Sequence, residues 1–491
     1  MNTTRRRIYF RIAAVLLGLT PIVLLELGLR LAGVASDSVT KREVVALSAV
    51  DPDPLVDLHS LRPLFVRSVD GKRLEIGESR MNFFCPASFP VAKSSGTKRI
   101  FALGGSTTQG QPYLTETAFP KWLQLRLQAT MPNESIEVIN CGGISYASYR
   151  VAAILDEVLQ HSPDMIILYT GHNEFLEART YSRQRSVPRW LAKPLSLLEK
   201  LRIARITARF LYGETKQSPQ KTTLPSEVDT LLDHSAGMDA YVRDAMWSDD
   251  VHLHFELTLA RMVEACRQAS VPLVLCVPAS DLVNTPPFKS VPDPTLKQSR
   301  RNDVDRWMKE IESEAELAER IVAAESILRL DPDHALANYA LGRWTYEADK
   351  GDQAKAILHL VNARDHDVCP LRATTRIVDS VRAHRSREGV YMIDTPELLD
   401  RRDASGRLIP DGAADPSWFV DHVHPTIEGH QQIAKRIYEL LVHVDWVQPE
   451  TDDESTYNNL VEAHLRTLGE PYFGRAKQRL EGVNRWSRRI K

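Results

Sequence analysis

Cysteine is scarce in this chain. There are 5 in 491 residues, at positions 85, 141, 266, 276 and 369. The number is odd, the positions are scattered and no Cys-x-x-Cys pair occurs, so neither a disulfide framework nor a cysteine zinc site is supported. An excess charge of one sign is also lacking. Lys and Arg total 62 against 64 Asp and Glu, a formal net charge of −2. No whole-chain basic field exists to recruit nucleic acid, and no nucleic-acid partner is expected. Long apolar runs are missing beyond the first 35 residues, which excludes a polytopic membrane protein. What remains is 43% hydrophobic and 26% charged, enough apolar material for a sizeable core. By length alone the chain would hold roughly 3 domains, at about 150 residues each.

The N-terminus departs from these averages. Arg5, Arg6, Arg7 and Arg11 precede a mostly apolar stretch from Ile12 to Leu25, followed by the small-residue tail Ala32-Gly33-Val34-Ala35. Residues 1–35 therefore read as a signal anchor or a signal peptide. Glu26 and Arg30 lie four apart and can pair on one helix face, while Leu27, Leu29 and Leu31 lengthen the apolar segment. This favours an uncleaved anchor, with the basic end cytoplasmic and the remainder extracytoplasmic, on the periplasmic or cell-envelope side. Secretion after signal cleavage is the alternative, and a surface or buried helix is the bland one.

Residues 36–95 are polar and broken by Pro52, Pro54, Pro63, Pro86 and Pro90, and read as a linker and irregular extension. Short apolar runs then alternate with amphipathic stretches. Residues 99–103, 136–139, 165–169, 272–277 and 390–393 have strand length and β-branched content; segments such as 119–129 and 149–161 have helical character. This rhythm predicts an α/β domain with a parallel sheet covered by helices on both faces. The domain has a first part over 96–299, containing an insertion at 178–250, and a second part over 373–445. Residues 300–372 interrupt it. There, Leu330-Asp-Pro-Asp333, Leu341-Gly342 and Ala354 resemble a tetratricopeptide repeat, with Gly342 and Ala354 as the small residues of a helix crossing. A plain helical hairpin is the alternative, and a protein partner at this insertion is an expectation. The tail, 446–491, begins acidic and ends basic, and reads as a peripheral amphipathic helix.

Four sites carry chemistry. Leu103-Gly104-Gly105-Ser106 runs from a strand into a tight turn, after which Ser106 opens a helix with its own N–H free. Taken alone, Ser106 reads first as a helix cap. Asp421-His422-Val423-His424 puts a carboxylate and two imidazoles in one turn, the pairing a serine nucleophile needs; spacing alone leaves open which His is the base. A metal reading would use Asp421, His422, His424 and His430, but no Cys or Glu ligands accompany them, so neither metal nor cofactor is expected. Gly171-His172-Asn173-Glu174 can present the Asn173 amide to a developing oxyanion. Asn140-Cys141-Gly142-Gly143-Ile144-Ser145 offers free backbone N–H groups at a helix start.

Taken in chain order, these four sites resemble the SGNH hydrolase superfamily, the GDSL-type esterases, over about 96–295 and 376–445. The resemblance implies a flavodoxin-like three-layer α/β/α domain with a parallel five-stranded sheet. It implies that Ser106 is the nucleophile, His424 rather than His422 its base, and Asp421 the carboxylate orienting that base. Asn173 becomes an oxyanion donor, with Gly143 slightly favoured as a second and Ser145 as the alternative. Gly105 and Glu174 stand where the family has Asp, and neither change removes a catalytic group. The expected activity is hydrolysis of acyl esters, including O-acetyl esters, of envelope glycans or lipids through an acyl-serine. The alternatives are O-acyl transfer by the same triad and an envelope scaffold with a vestigial site. An α/β-hydrolase elbow is excluded, because Thr108 stands where Gly-x-Ser-x-Gly requires glycine.

Overall fold

The computed structural model describes residues 56–57, 61–179, 222–348, 352–400, 414–450 and 454–489. The N-terminal segment 1–35, most of the 36–60 stretch and residues 180–221 of the expected insertion lie outside the described residues. Among the described residues no helix is long and apolar enough to cross a membrane. The chain divides into two compact units, residues 1–57 with 179–223, and residues 58–178 with 224–491. In the first, Val56–Asp57 and Thr222–Thr223 pair in parallel. All that follows concerns the second.

Its centre is a parallel sheet of five strands: β1 (Thr97–Gly104), β2 (Ser135–Gly142), β3 (Met165–Tyr169), β4 (Leu273–Cys276) and β5 (Val390–Ile393), in the order β2-β1-β3-β4-β5. This is the flavodoxin-like order, and the chain reverses direction of growth between β1 and β3. The strands read as continuous apolar runs because both faces are covered. On one face Ile100, Ala102, Ile167 and Val274 meet Phe119, Trp122 and Leu123 of α2 (Phe119–Thr130) and Ile433, Ile437 and Leu441 of the helix Ile427–His443. Each Ile, Leu, Val or Phe side chain among these stabilises the fold by about 1.5–3 kcal/mol when fully buried. On the other, α3 (Ser148–Val158) packs against β1 and against α4 (Ala245–Gln268). Register then aligns the strand ends. Gly104 sits opposite both Gly142 and Tyr169, so the turns leaving β1, β2 and β3 emerge side by side at one edge.

Three features differ from the sequence reading. Residues 61–95 are not a linker. Phe65–Arg67, Arg73–Ile76 and Ser88–Pro90 form an antiparallel sheet, and Phe65 and Phe89 pack edge-on against Phe101 of β1. The Glu157 carboxylate accepts the N–H groups of Leu64 and Phe65, both at 2.7 Å. The insertion ends before 250, since Asp244 caps α4 through the Trp247 N–H. The C-terminal segment Glu454–Arg489, two helices meeting at a kink at Gly469, is not peripheral between 454 and 476: Arg126 grips Glu454 at 2.5 Å, and Tyr472 and Ala476 are buried.

The interrupting segment is helical, as Gln298–Ile311, Leu317–Leu330, Ala335–Glu347 and Gln353–Asp365. A Cβ at Gly342 would lie 2.9 Å from Leu360 and 3.0 Å from the Ala356 carbonyl, so Gly342 does sit at a close crossing. Its small partner is the buried Ala356, whereas Ala354 is exposed. Leu282 and Val283, which follow β4, pack with Ile357 and Leu360 and dock these helices on the sheet domain. All five cysteines are free.

Candidate active site

Glycine makes the first turn possible. A Cβ at Gly104 would lie 2.1 Å from the Tyr169 carbonyl and 2.2 Å from Thr108 Oγ1, so no side chain fits where β1 meets β3. The Thr108 hydroxyl donates to that same carbonyl at 3.1 Å. Ser106 follows as the first residue of α1 (Ser106–Gln109). Asn140, at the end of β2, ties this turn to the next one. Its amide donates to Thr108 O at 2.8 Å, and its Oδ1 accepts Gly142 N–H at 2.9 Å. The sequence reading did not single out Asn140 for this; its only signal was an amide at a strand end.

Asp421 and His424 come from the turn before the helix Ile427–His443. One Asp421 oxygen, Oδ1, accepts the backbone N–H groups of Val423 and His424, both at 2.9 Å. The other, Oδ2, lies 2.6 Å from His424 Nδ1. Burial pushes the Asp421 carboxyl up, but His424, His422 and these hydrogen bonds outweigh it and hold the group well below the ordinary carboxylate range. Asp421 is therefore an acceptor and Nδ1 carries the proton donated to it. His424 Nε2, left as the acceptor, lies 2.7 Å from Ser106 Oγ and receives its hydroxyl proton.

His422 is placed elsewhere. Its Nδ1 is 3.6 Å from Asp421 Oδ1, and its ring stands edge-on to Phe288 at 5.1 Å. Burial lowers its pKa to about 4. His172 accepts the Ala373 N–H on Nδ1 at 3.1 Å, and burial with the neighbouring His422 and His424 lowers it to about 3. His430 accepts the Phe119 N–H at 3.3 Å and stacks on the Phe119 ring. Among the described residues no group of three or more His, Cys, Asp or Glu is arranged to hold a metal ion.

Asn173 lies beside the serine turn. A Cβ at Gly105 would sit 2.7 Å from Asn173 Nδ2, so the glycine at 105 leaves room for the amide. Nδ2 donates one proton to the Tyr146 carbonyl at 3.1 Å and keeps a second. Glu174 is buried and accepts the Ser148 N–H at 2.8 Å and the Ser148 hydroxyl at 2.9 Å, which joins the Gly-x-Asn turn to the start of α3. Three residues on, Glu177 holds Arg150 of α3 in a buried two-point pair at 2.6 Å.

The preference for Gly143 as a backbone donor does not survive the geometry. Its N–H donates to the Gly104 carbonyl at 3.0 Å, and that of Ile144 donates to the Phe83 carbonyl at 2.9 Å. Ser145 is the remaining candidate in this turn. It adopts φ +60°, a left-handed conformation, and its N–H makes no hydrogen bond among the described residues.

The sequence profile of the GDSL-like lipase/acylhydrolase family matches residues 102–363, more than half of the chain. The match stops short of Asp421 and His424, which the fold brings to Ser106. No curated protein matches this chain at a significant level. Among solved structures, a GDSL-like lipase from Bacteroides thetaiotaomicron VPI-5482 is 10% identical, with 71% of this chain and 89% of that one covered and a TM-score of 0.29. An acetylxylan esterase from Geobacillus stearothermophilus is 12% identical, with 70% and 93% covered and a TM-score of 0.30. A lipase/acylhydrolase from Enterococcus faecalis is 12% identical, with 72% and 99% covered and a TM-score of 0.29.

Proposed function

The chain belongs to the GDSL-like lipase/acylhydrolase family, a hydrolase acting on ester bonds, and we propose that it does so through a covalent acyl-Ser106. The observation that carries this reading is the unbroken line Asp421–His424–Ser106, with links of 2.6 and 2.7 Å. Ser106 Oγ attacks the acyl carbonyl carbon while its proton passes to His424 Nε2. Negative charge moves onto the carbonyl oxygen, where the Ser106 N–H, the Ser145 N–H and the free Asn173 amide proton receive it. Collapse expels the alcohol, which takes the proton from His424. Water then enters by the reverse route and releases the acid. Asp421 keeps the imidazole in the required tautomer and stabilises its protonated form.

The substrate in this reading is an O-acyl ester, including O-acetyl, of an envelope glycan or lipid. The basic and apolar residues 1–35 support it, by anchoring the enzyme and placing the catalytic domain outside the cytoplasm. Transfer of the acyl group to a sugar hydroxyl uses the same intermediate, and the partition between free acid and acylated glycan separates the two. The helices over 298–365, read as tetratricopeptide-like, serve as a partner site beside the cleft; the loop they dock on donates the Asp281 N–H to His422 O at 3.0 Å. A fluorophosphonate probe tests the reaction class. Adduct on the peptide containing Ser106 is expected. An unlabelled, folded protein would instead support a scaffold with a vestigial site.

A further inference from the structure

The turn that carries Ser145 is braced from outside the sheet by residues 80–84, in the segment between the antiparallel strands. The Phe83 carbonyl accepts two bonds at 2.9 Å, from the Ile144 N–H and from Gln109 Nε2. Gln109 closes the short helix that Ser106 opens, so one carbonyl joins the nucleophile's helix to the Ser145 turn. The Phe84 ring stands edge-on to Tyr146 at 4.8 Å, and a Cβ at Gly143 would lie 2.7 Å from Phe84 Cζ. Arg80 completes the brace. It is 1% exposed, and its guanidinium lies over both rings, 5.4 Å from Phe84 and 5.8 Å from Tyr146. Its Nη2 donates to the Tyr146 hydroxyl at 2.5 Å.

Tyr146 is the hinge of the relationship. Its side chain is held by Arg80, its carbonyl accepts the Asn173 amide, and the residue before it is Ser145, whose N–H lies one peptide further back. A shift of the Tyr146 ring thus moves two of the three groups aimed at the oxyanion. The guanidinium is an expensive means of filling the space. Among the described residues Arg80 Nε and Nη1 make no hydrogen bond, and the ion pair with Glu227 is long at 3.8 Å. A buried charge so incompletely matched is costly compared with an apolar side chain of similar volume. Packing alone does not account for it.

We propose that Arg80 is a positioning residue for ester cleavage, acting through Tyr146 to hold the Ser145 N–H and the Asn173 amide where the oxyanion forms. This rests on the acyl-Ser106 reading. Loss of the contact loosens the oxyanion donors without touching the nucleophile, its base or the alcohol side of the cleft. A misplacement of about 1 Å costs about 10²-fold in rate.

The test uses the full chain with Tyr146→Phe, Arg80→Met and the double variant. Tyr146→Phe removes one oxygen atom and leaves the ring packing, so it decides the matter if Arg80→Met does not fold. With an aryl ester, kcat is expected to fall about 10²-fold while KM stays within about twofold. The rate of fluorophosphonate labelling at Ser106 should fall in parallel. The double variant should be no slower than either single one, because both break one link. Folded single variants with wild-type kcat would overturn the proposal, as would losses that multiply in the double variant. Failure of wild type to label at Ser106 would overturn the esterase reading instead. Wild type that labels, beside unimpaired variants, would defeat the positioning role alone.

Discussion

Asp421 holds His424 at two points and the neighbouring Val423 at a third. Its Oδ2 takes the ring N–H at 2.6 Å, while its Oδ1 accepts the backbone N–H of His424 and that of Val423 at 2.9 Å. The carboxylate thus sets both the tautomer of the imidazole and the conformation of the turn that delivers it. Asp421→Asn should lower kcat by about 10⁴-fold, because an amide can present its N–H to Nδ1 and stabilise the wrong tautomer. His422→Gln should leave kcat within about tenfold of wild type, since His422 does not reach Ser106. Steady-state kinetics of the two variants check this. Equal losses would show that His422 shares the base's role.

Ser145 is predicted to act through its backbone. At φ +60° a glycine is at ease and a β-branched residue is strained. Ser145→Gly should therefore keep kcat within a few-fold of wild type, whereas Ser145→Val should lose about 10²-fold, the order of one oxyanion donor. A large loss in Ser145→Gly would assign the role to the hydroxyl instead.

Much of this site was legible in the sequence because its chemistry is written in short motifs. Ser106 opens a helix, Asn173 follows β3, Asp421 and His424 lie in the turn before the helix Ile427–His443, and the runs at 165–169 and 390–393 match β3 and β5 at both ends. What escaped is set by contacts between distant segments. Gly143 was the natural donor from its residue type, yet its N–H is used by Gly104, a partner that only the β1–β2 register reveals. Arg80, Phe83 and Phe84 lay in a proline-broken stretch whose strands, at three or four residues, are too short to show a period. At the helical crossing Ala354 and Ala356 differ by two positions in one helix, and the repeat pattern pointed to the exposed one.

His430 should make stability depend on pH. Burial, with His424 nearby, lowers its pKa from 6.5 to about 3. The unfolded chain therefore takes up a proton near pH 6.5 that the folded one resists. The contribution is fully present above 6.5 and is lost as pH falls through the window towards about 3, at about 1.4 kcal/mol per pH unit. His430→Gln should reduce the proton uptake on unfolding by about half a proton at pH 6.5, rising to about one proton near pH 4.5. Denaturant titrations across that range measure it. An unchanged slope would mean that His430 is protonated in the native protein.

The most direct measurement of the central claim is the pre-steady-state release of alcohol from an aryl ester, with intact-mass detection of the protein. Wild type should show a burst close to one equivalent and an acyl adduct on the peptide containing Ser106. Ser106→Ala, with its fold preserved, should show neither burst nor adduct. Turnover in Ser106→Ala at the wild-type rate would contradict the acyl-serine account.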